Sequence, residues 1–360
     1  MSEPLELVNA VLTPDHPSRE VRLRAAKHLG SGARTQKQFA CARCLFVLFL
    51  LIVLQSAARP PQYGPSQPRP SEQDTIRANV DLVVLHATVQ NRNRALVSGL
   101  GKEDFHVYED GVLQQISSFT HEDIPVTVGL LVDNSGSMGP KHPEVIAAAL
   151  AFARSSNPED QMFVVHFNEN VWFGLPVNTP FTDQEAQLQA ALSKINADGM
   201  TALYDATAAA LEHLKNGKWD KKVLVVISDG ADNASKHTRA QIMALAEESS
   251  VIIYSVGLFQ MEDPDRNPGV LKQLARATGG EAFLPESLKK VVPIGEQIAR
   301  DIRNQYTITY VPTNTKQDGA YRAIEVNAGA PGHGRLTVRT RAGYYARMRP
   351  PSSPAASSLP

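Results

Sequence analysis

Cysteine is almost missing from this chain. Its 360 residues contain two, Cys41 and Cys44, both beside an apolar run near the N-terminus. Everything beyond them is free of disulfides and has to be held by its core. A C-x-x-C pair suits zinc or redox chemistry, but a zinc site needs two more ligands and none accompany this pair, so both read as ordinary residues of the N-terminal region. An excess of either charge is missing too. Thirty-six Lys and Arg stand against 37 Asp and Glu, a balance that does not point to a polyanion such as nucleic acid as the main partner. Nor does any apolar run reach the roughly twenty residues that span a bilayer. What remains is an ordinary globular composition, 42% hydrophobic and 20% charged, which excludes a disordered chain. The length suits two domains.

The N-terminal part differs from the rest. Arg19, Arg22, Arg24, Lys27, Arg34, Lys37 and Arg43 precede LFVLFLLIVL at 45–54, and QSAARP follows. A basic region, an apolar core and small residues read as a secretory signal peptide or, extended back to Phe39, a signal anchor. Residues beyond about 58 are then expected outside the cytoplasm, and contact with a membrane is expected only through this N-terminal segment. Residues 59–73 are Pro-rich and polar, a linker composition.

From 74 to 122 the pattern is that of strands, with the Asp110–Gly111 pair in DFHVYEDGVLQQISSFT marking a hairpin. Residues 123–305 alternate apolar β-branched runs with helix-spaced segments, which predicts a doubly wound, mostly parallel α/β sheet with helices on both faces. Helices are expected at about 183–195, 203–216 and 238–249, and over GVLKQLARAT. Another ends near Asn304, with Pro293 fitting its first turn better than its interior. Residues 306–347 return to strands, so four or so strands in two flanking pieces predict a small β domain interrupted by the α/β segment. The tail 348–360 is Ser-, Pro- and Ala-rich and reads as disordered.

In an open sheet of this kind, ligands sit beyond the carboxyl ends of strands where the strand order reverses. Two apolar runs end in acids there: VTVGLLVD at Asp133 and VLVVISD at Asp229. As first and fourth strands of an order such as 3-2-1-4-5-6, they bring both carboxylates to one crevice. Ser135 and Ser137 follow Asp133 at alternate positions, and Thr201 stands before a helix. Five hard oxygens from three loops, two of them charged, suit Mg2+ with positions left open for an acidic oxygen of a partner. The simpler alternative, Asp133 and Ser135 as helix caps, accounts for one oxygen and leaves Ser137, Thr201 and Asp229 unexplained. Asp198, Asp205 and Asp232 read as solvated or capping. His166 and His213 read as structural, and Gly279 or Gly280 as a helix end.

The stretches DNSGSM (133–138), GMTALYDA (199–206) and VISDG (226–230) together resemble the von Willebrand factor A domain over about residues 125–305. In that family a metal-ion-dependent adhesion site follows the pattern D-x-S-x-S, then Thr, then Asp, and Asp133, Ser135, Ser137, Thr201 and Asp229 match all five positions. The flanks resemble bacterial exported proteins of the von Willebrand factor A-related group. The resemblance implies a protein ligand bound through Mg2+ or Mn2+, in adhesion or envelope assembly, and no enzymatic activity. Two rivals stand beside it. One is a scaffold subunit of an envelope or secretion complex. The other is a metal-assisted hydrolase, for which Ser135 stands where a second acid belongs.

Overall fold

The computed structural model describes residues 82–194, 197–259 and 266–348. The apolar run at 45–54, both cysteines, the Pro-rich stretch 59–73 and the tail after 348 lie outside the described residues. Four strands come first: β1 (Val83–Gln90), β2 (Phe105–Glu109), β3 (Val112–Gln114) and β4 (Ile116–Thr120). Asp110 and Gly111 join β2 to β3 with φ of 48° and 80°. Two positive φ angles make the tight hairpin turn that an Asp-Gly pair favours.

The α/β segment follows. β5 (Thr127–Asp133) leads through a 3-10 turn (Gly136–Lys141) into α1 (His142–Ser155), with Pro143 in the first turn where its missing N–H costs nothing. Then come β6 (Gln161–Phe167), β7 (Val171–Phe173), α2 (Glu185–Leu192), α3 (Leu203–Leu214) and β8 (Lys222–Ser228). α4 (Arg239–Glu248), β9 (Ile252–Gly257), α5 (Pro268–Thr278), β10 (Ala282–Phe283) and α6 (Val291–Arg303) complete it. The sheet order is β10-β9-β8-β5-β6-β7, which in the segment's own chain order is 3-2-1-4-5-6 read from the other edge. All pairings are parallel except that of β6 with β7. β5 is buried at every position, as a strand covered on both faces must be. Helix α2 is shorter than the spacing predicts; Thr182 and Gln184 ahead of it are held by a local side-chain turn instead. Pro293 falls in the first turn of α6, and Gly279 closes α5 in the left-handed conformation.

After α6 the chain forms β11 (Tyr306–Tyr310), β12 (Tyr321–Ala328), β13 (Thr337–Arg339) and β14 (Gly343–Tyr345). Strands from both flanks interleave in two antiparallel sheets, β13-β1-β11-β4 and β14-β12-β2-β3. The flanks thus hold eight strands rather than four or so, because three-residue strands such as β3, β13 and β14 are too short for alternation to register in the sequence. Their shared core includes Leu85, Val107, Phe105, Tyr306, Ile308 and Tyr310, separate from the larger core around β5, β6, β8 and β9.

Arg339 on β13 ties these parts together. Its guanidinium pairs with Asp301 near the end of α6 and with Glu281 before β10, and Glu281 also pairs with Arg94. The Tyr254 hydroxyl donates to Asp301 Oδ2 at 2.9 Å, and Gln305 Nε2 donates to Thr88 at 3.3 Å.

α6 packs along α1, and the contact is close enough that a Cβ on Gly295 would overlap the carbonyl oxygen of Ala148. Gly295→Ala is expected to push the helices apart and destabilise the fold by about 1–3 kcal/mol, the usual cost of overpacking, despite alanine's better helix propensity. Denaturant unfolding of the variant measures this; unchanged stability would contradict the close approach.

Candidate metal centre

The central pairing of β5 with β8 sets the site. The two strands run parallel in register from Thr127↔Lys222 to Val132↔Ile227, so Asp133 and Asp229 leave the sheet side by side. Both are fully buried. Three loops then interlock. The Gly136 N–H donates to the Gly199 carbonyl at 3.3 Å, which brings the Thr201 loop against the serines. Asn233 and Ala234 donate their N–H groups to the Thr201 carbonyl at 2.9 and 3.0 Å, and Asn233 Oδ1 accepts the Thr201 N–H at 2.8 Å. Gly230, with φ of 78°, lets the chain turn immediately after Asp229 against the Asn267 carbonyl, where a Cβ would overlap.

Asp133, Ser135, Ser137 and Asp229 are joined by hydrogen bonds, and Thr201 is brought to them through its backbone. Asp133 Oδ1 accepts the Ser135 N–H at 2.9 Å and Oδ2 accepts the Ser228 hydroxyl at 2.5 Å. The Ser137 hydroxyl donates to Asp229 Oδ2 at 2.5 Å and lies 3.3 Å from the Ser135 hydroxyl. Asp229 Oδ1 accepts the Ala231 N–H at 3.1 Å. Ser135 and Thr201 are buried, whereas Ser137 is exposed and marks the open face. Neither Ser135 nor Thr201 uses its side chain as a helix cap: the 3-10 turn has no side-chain cap bond, and α3 starts from Ala202.

Burial and, next, the neighbouring Asp229 charge push the Asp133 carboxyl up to about 6, against the pull of hydrogen bonds from Ser135 and Ser228. The partners of both carboxylates are hydroxyls and backbone N–H groups, not cations. Two buried acids without a counter-charge, ringed by neutral hydroxyl oxygens, fit a hard dication, whose charge removes the repulsion. No group of three or more His, Cys, Asp or Glu able to hold a metal occurs among the described residues; the donor set here has only two acids and completes itself with hydroxyls.

The remaining polar residues hold the loops. Asp232 Oδ1 accepts the Tyr204 N–H at 3.1 Å and so caps α3 from another loop. Asp205 accepts the N–H groups of Lys236 and His237, and Asp198 accepts the Gly199 N–H at 2.8 Å. His166 donates Nε2–H to the Ala191 carbonyl at 2.9 Å and accepts from Asn134 at its Nδ1, with burial pushing its pKa down. His142 donates to the Asp133 carbonyl at 3.2 Å. His213 packs among Phe163, Phe173 and Phe181. Sequence reasoning missed Ser228, which the strand's otherwise apolar end signals, and Glu169, whose Oε2 accepts the Met200 N–H at 3.0 Å from a separate loop.

A carboxyl whose folded pKa lies above its unfolded value stabilises the fold fully below that unfolded value. Asp133 should therefore stabilise the metal-free fold below about 3.8 and lose that contribution as pH rises through about 6. At pH 7.5 in EDTA, Asp133→Asn is expected to unfold later than wild type, by about 1–3 kcal/mol from a shift of roughly two units. Added Mg2+ or Mn2+ should stabilise wild type and leave the variant unchanged. Wild-type affinity for the ion should be constant above pH 7 and drop about tenfold by pH 5, as protons compete for Asp133. Calorimetric titration across that range, with a flat profile, would remove Asp133 from the ligand set.

Residues 128–231 match the family model of the von Willebrand factor type A domain. No curated protein matches the chain. Among solved structures, a von Willebrand factor type A protein from Catenulispora acidiphila is 13% identical, with a TM-score of 0.45, over 76% of this chain and 75% of its own. An aerotolerance-related membrane protein from Bacteroides fragilis is 14% identical, with a TM-score of 0.40, over 49% of this chain and 98% of its own. Proximal thread matrix protein 1 from mussel byssus, solved with a zinc-occupied MIDAS motif, is 16% identical, with a TM-score of 0.41, over 50% of this chain and 48% of its own. Residues 128–231, from β5 to the turn after Asp229, are thus the part of this chain that matches the von Willebrand factor type A domain.

Proposed function

We propose that the protein is an exported binding protein of the cell envelope. Its metal centre takes Mg2+ or Mn2+ on Asp133, Ser135, Ser137, Thr201 and Asp229, and an acidic side chain of a protein ligand completes the coordination, in adhesion or envelope assembly. The observation that carries this reading is the pair of buried carboxylates, Asp133 and Asp229, with the exposed neutral hydroxyl of Ser137 bonded to Asp229. When bound, the dication supplies a Lewis-acidic position for an incoming oxygen. The chain's own residues contribute two negative charges and three neutral donors, so a bound dication is neutralised and no more. An additional carboxylate is then attracted by the ion rather than repelled by the site.

Binding is favoured over hydrolysis by the state of Asp133. Both its oxygens are engaged, one by the Ser135 N–H and one by the Ser228 hydroxyl, which holds it as a ligand and away from the role of a free nucleophile. Export rests on the basic region, the apolar run and QSAARP of the N-terminal segment.

Ser137→Asp tests the bridge. It adds a carboxylate at the exposed ligand position, so metal affinity is expected to hold or rise while capture of the partner from envelope extracts falls. Loss of an interfacial charged contact costs about 2–5 kcal/mol, a drop of roughly thirty-fold or more. Equal capture by wild type in Mg2+ and in EDTA would end the metal-bridge reading. Protease added to intact spheroplasts is expected to digest the α/β segment while cytoplasmic controls survive; a protected segment would overturn export.

A further inference from the structure

The end of the six-stranded sheet remote from Asp133 and Asp229 also carries a concavity. It is a cleft of about 880 Å3 between the first residues of β8 and β9 (Lys222, Ile252) and the sheet that contains β1 and β11. Seven-residue strands place it about 20 Å from the metal centre. The strand pattern explains its floor. β1 turns Val83, Leu85 and Ala87 into the sandwich core, so Val84 and His86 face the other way beside Thr309 and Thr307. Leu82, Val84, Val311 and Ile124 line the cleft and are 57%, 44%, 40% and 36% exposed. With Tyr345, they are five of the thirteen exposed bulky apolar residues among the described residues, and they line one cleft.

Two further features define what fits. The first is an open strand edge. β13 pairs with β1 only at Thr88–Gln90, while β11 pairs with Val83–Ala87 from the other side. Among the described residues no strand covers the outer edge of Val83–Ala87, and Leu82, Val83 and Val84 form the cleft there. The second feature is charge. Lys222 donates to the Lys215 carbonyl, Lys221 to the Ile302 carbonyl, and Arg341 to the carbonyls of Gly343 and Glu247. These cations reach main-chain oxygens instead of carboxylates. Lys316 adds to them in the lining, against Asp220 and Glu248 as the acids there.

We propose that this cleft is a second docking site, for an extended segment of a partner protein with alternating apolar and acidic residues that adds as a strand to the open edge of β1. Strand addition takes its affinity from main-chain hydrogen bonds and its selectivity from alternate side chains. On the added strand the acidic residues fall in line with Val84 and face the cleft, where Lys222, Lys316 and Arg341 meet them, and the apolar ones fall on the opposite face in line with Val83 and Leu85, extending the sandwich core. An apolar strand edge left uncovered invites indiscriminate pairing; the surrounding cations restrict it to acidic strands. The site does not involve the metal, so it stands or falls independently of the metal-bridge reading.

The probe is a short fluorescent peptide of alternating valine and glutamate, added to the full chain in EDTA, with a valine–lysine peptide as control. Saturable binding of the glutamate peptide alone is expected, unchanged in Mg2+ and in Asp133→Ala. Val84→Glu and Lys316→Glu both change exposed side chains, and each is expected to weaken binding by about tenfold. Circular dichroism checks that the variants are folded. The proposal is overturned if the glutamate peptide fails to bind the full chain, if both peptides bind equally, or if neither variant has an effect. It is also overturned if sedimentation shows the chain self-associating through this cleft, with Val84→Glu abolishing the dimer.

Discussion

Two negative charges buried side by side are the constraint on which this molecule turns. Asp133 and Asp229 stand at the ends of neighbouring parallel strands, where the doubly wound order forces the crossovers apart and leaves a crevice. Their repulsion and their loss of water work against the metal-free fold, as the raised Asp133 carboxyl records. The surrounding chain meets this with neutral donors: hydroxyls of Ser228 and Ser137 and the N–H groups of Ser135 and Ala231. A lysine in the same place would stabilise the apo fold better and would leave no attraction for a dication. In the proposed reading the empty site carries this cost and a bound dication would remove it.

Much of this was legible in the sequence, for reasons that can be traced to particular residues. Strands such as Thr127–Asp133 and Lys222–Ser228 are buried on both faces and read as continuous apolar runs. The candidate ligands Asp133, Ser135 and Ser137 are local to one turn, so their spacing is visible directly. Asp229 became visible because it ends a run of the same kind. What stayed hidden depends on long-range contact. Ser228 looked like the last residue of a strand, and only the parallel register brings its hydroxyl to Asp133. Glu169 reaches the Met200 N–H from another loop. The short strands β13 and β14 are defined by their partners β1 and β12 and have little pattern of their own. The ion pairs of Arg339 join residues far apart in the chain, which charge patterning cannot anticipate.

That arginine determines how the two halves of the described chain meet. Arg339 belongs to β13, Asp301 to α6 and Glu281 to the approach to β10, so the pairs cross from the sandwich to the α/β sheet. Asp301 is nearly buried, and removing the guanidinium would leave a desolvated acid without its partner, the costly way to break such a pair. The same junction explains the cleft. β13 is three residues long and stops at Thr88–Gln90, so the remainder of β1 runs on without an outer neighbour among the described residues. A firm seam at one end of β1 and an open edge at the other come from one short strand.

The interleaving of the flanks has a consequence in time. β4 waits for β11, and β2 waits for β12, yet residues 121–305 intervene in every case. On a ribosome adding about 5–20 residues per second, the early strands are exposed for on the order of 10–40 seconds before their partners emerge. The α/β segment, whose neighbours are close in sequence, can complete its own sheet during that interval. It then holds Thr120 and Tyr306 near one another, so the late strands arrive at a template already closed. A nascent chain of this design depends on its inserted half to assemble the half that surrounds it.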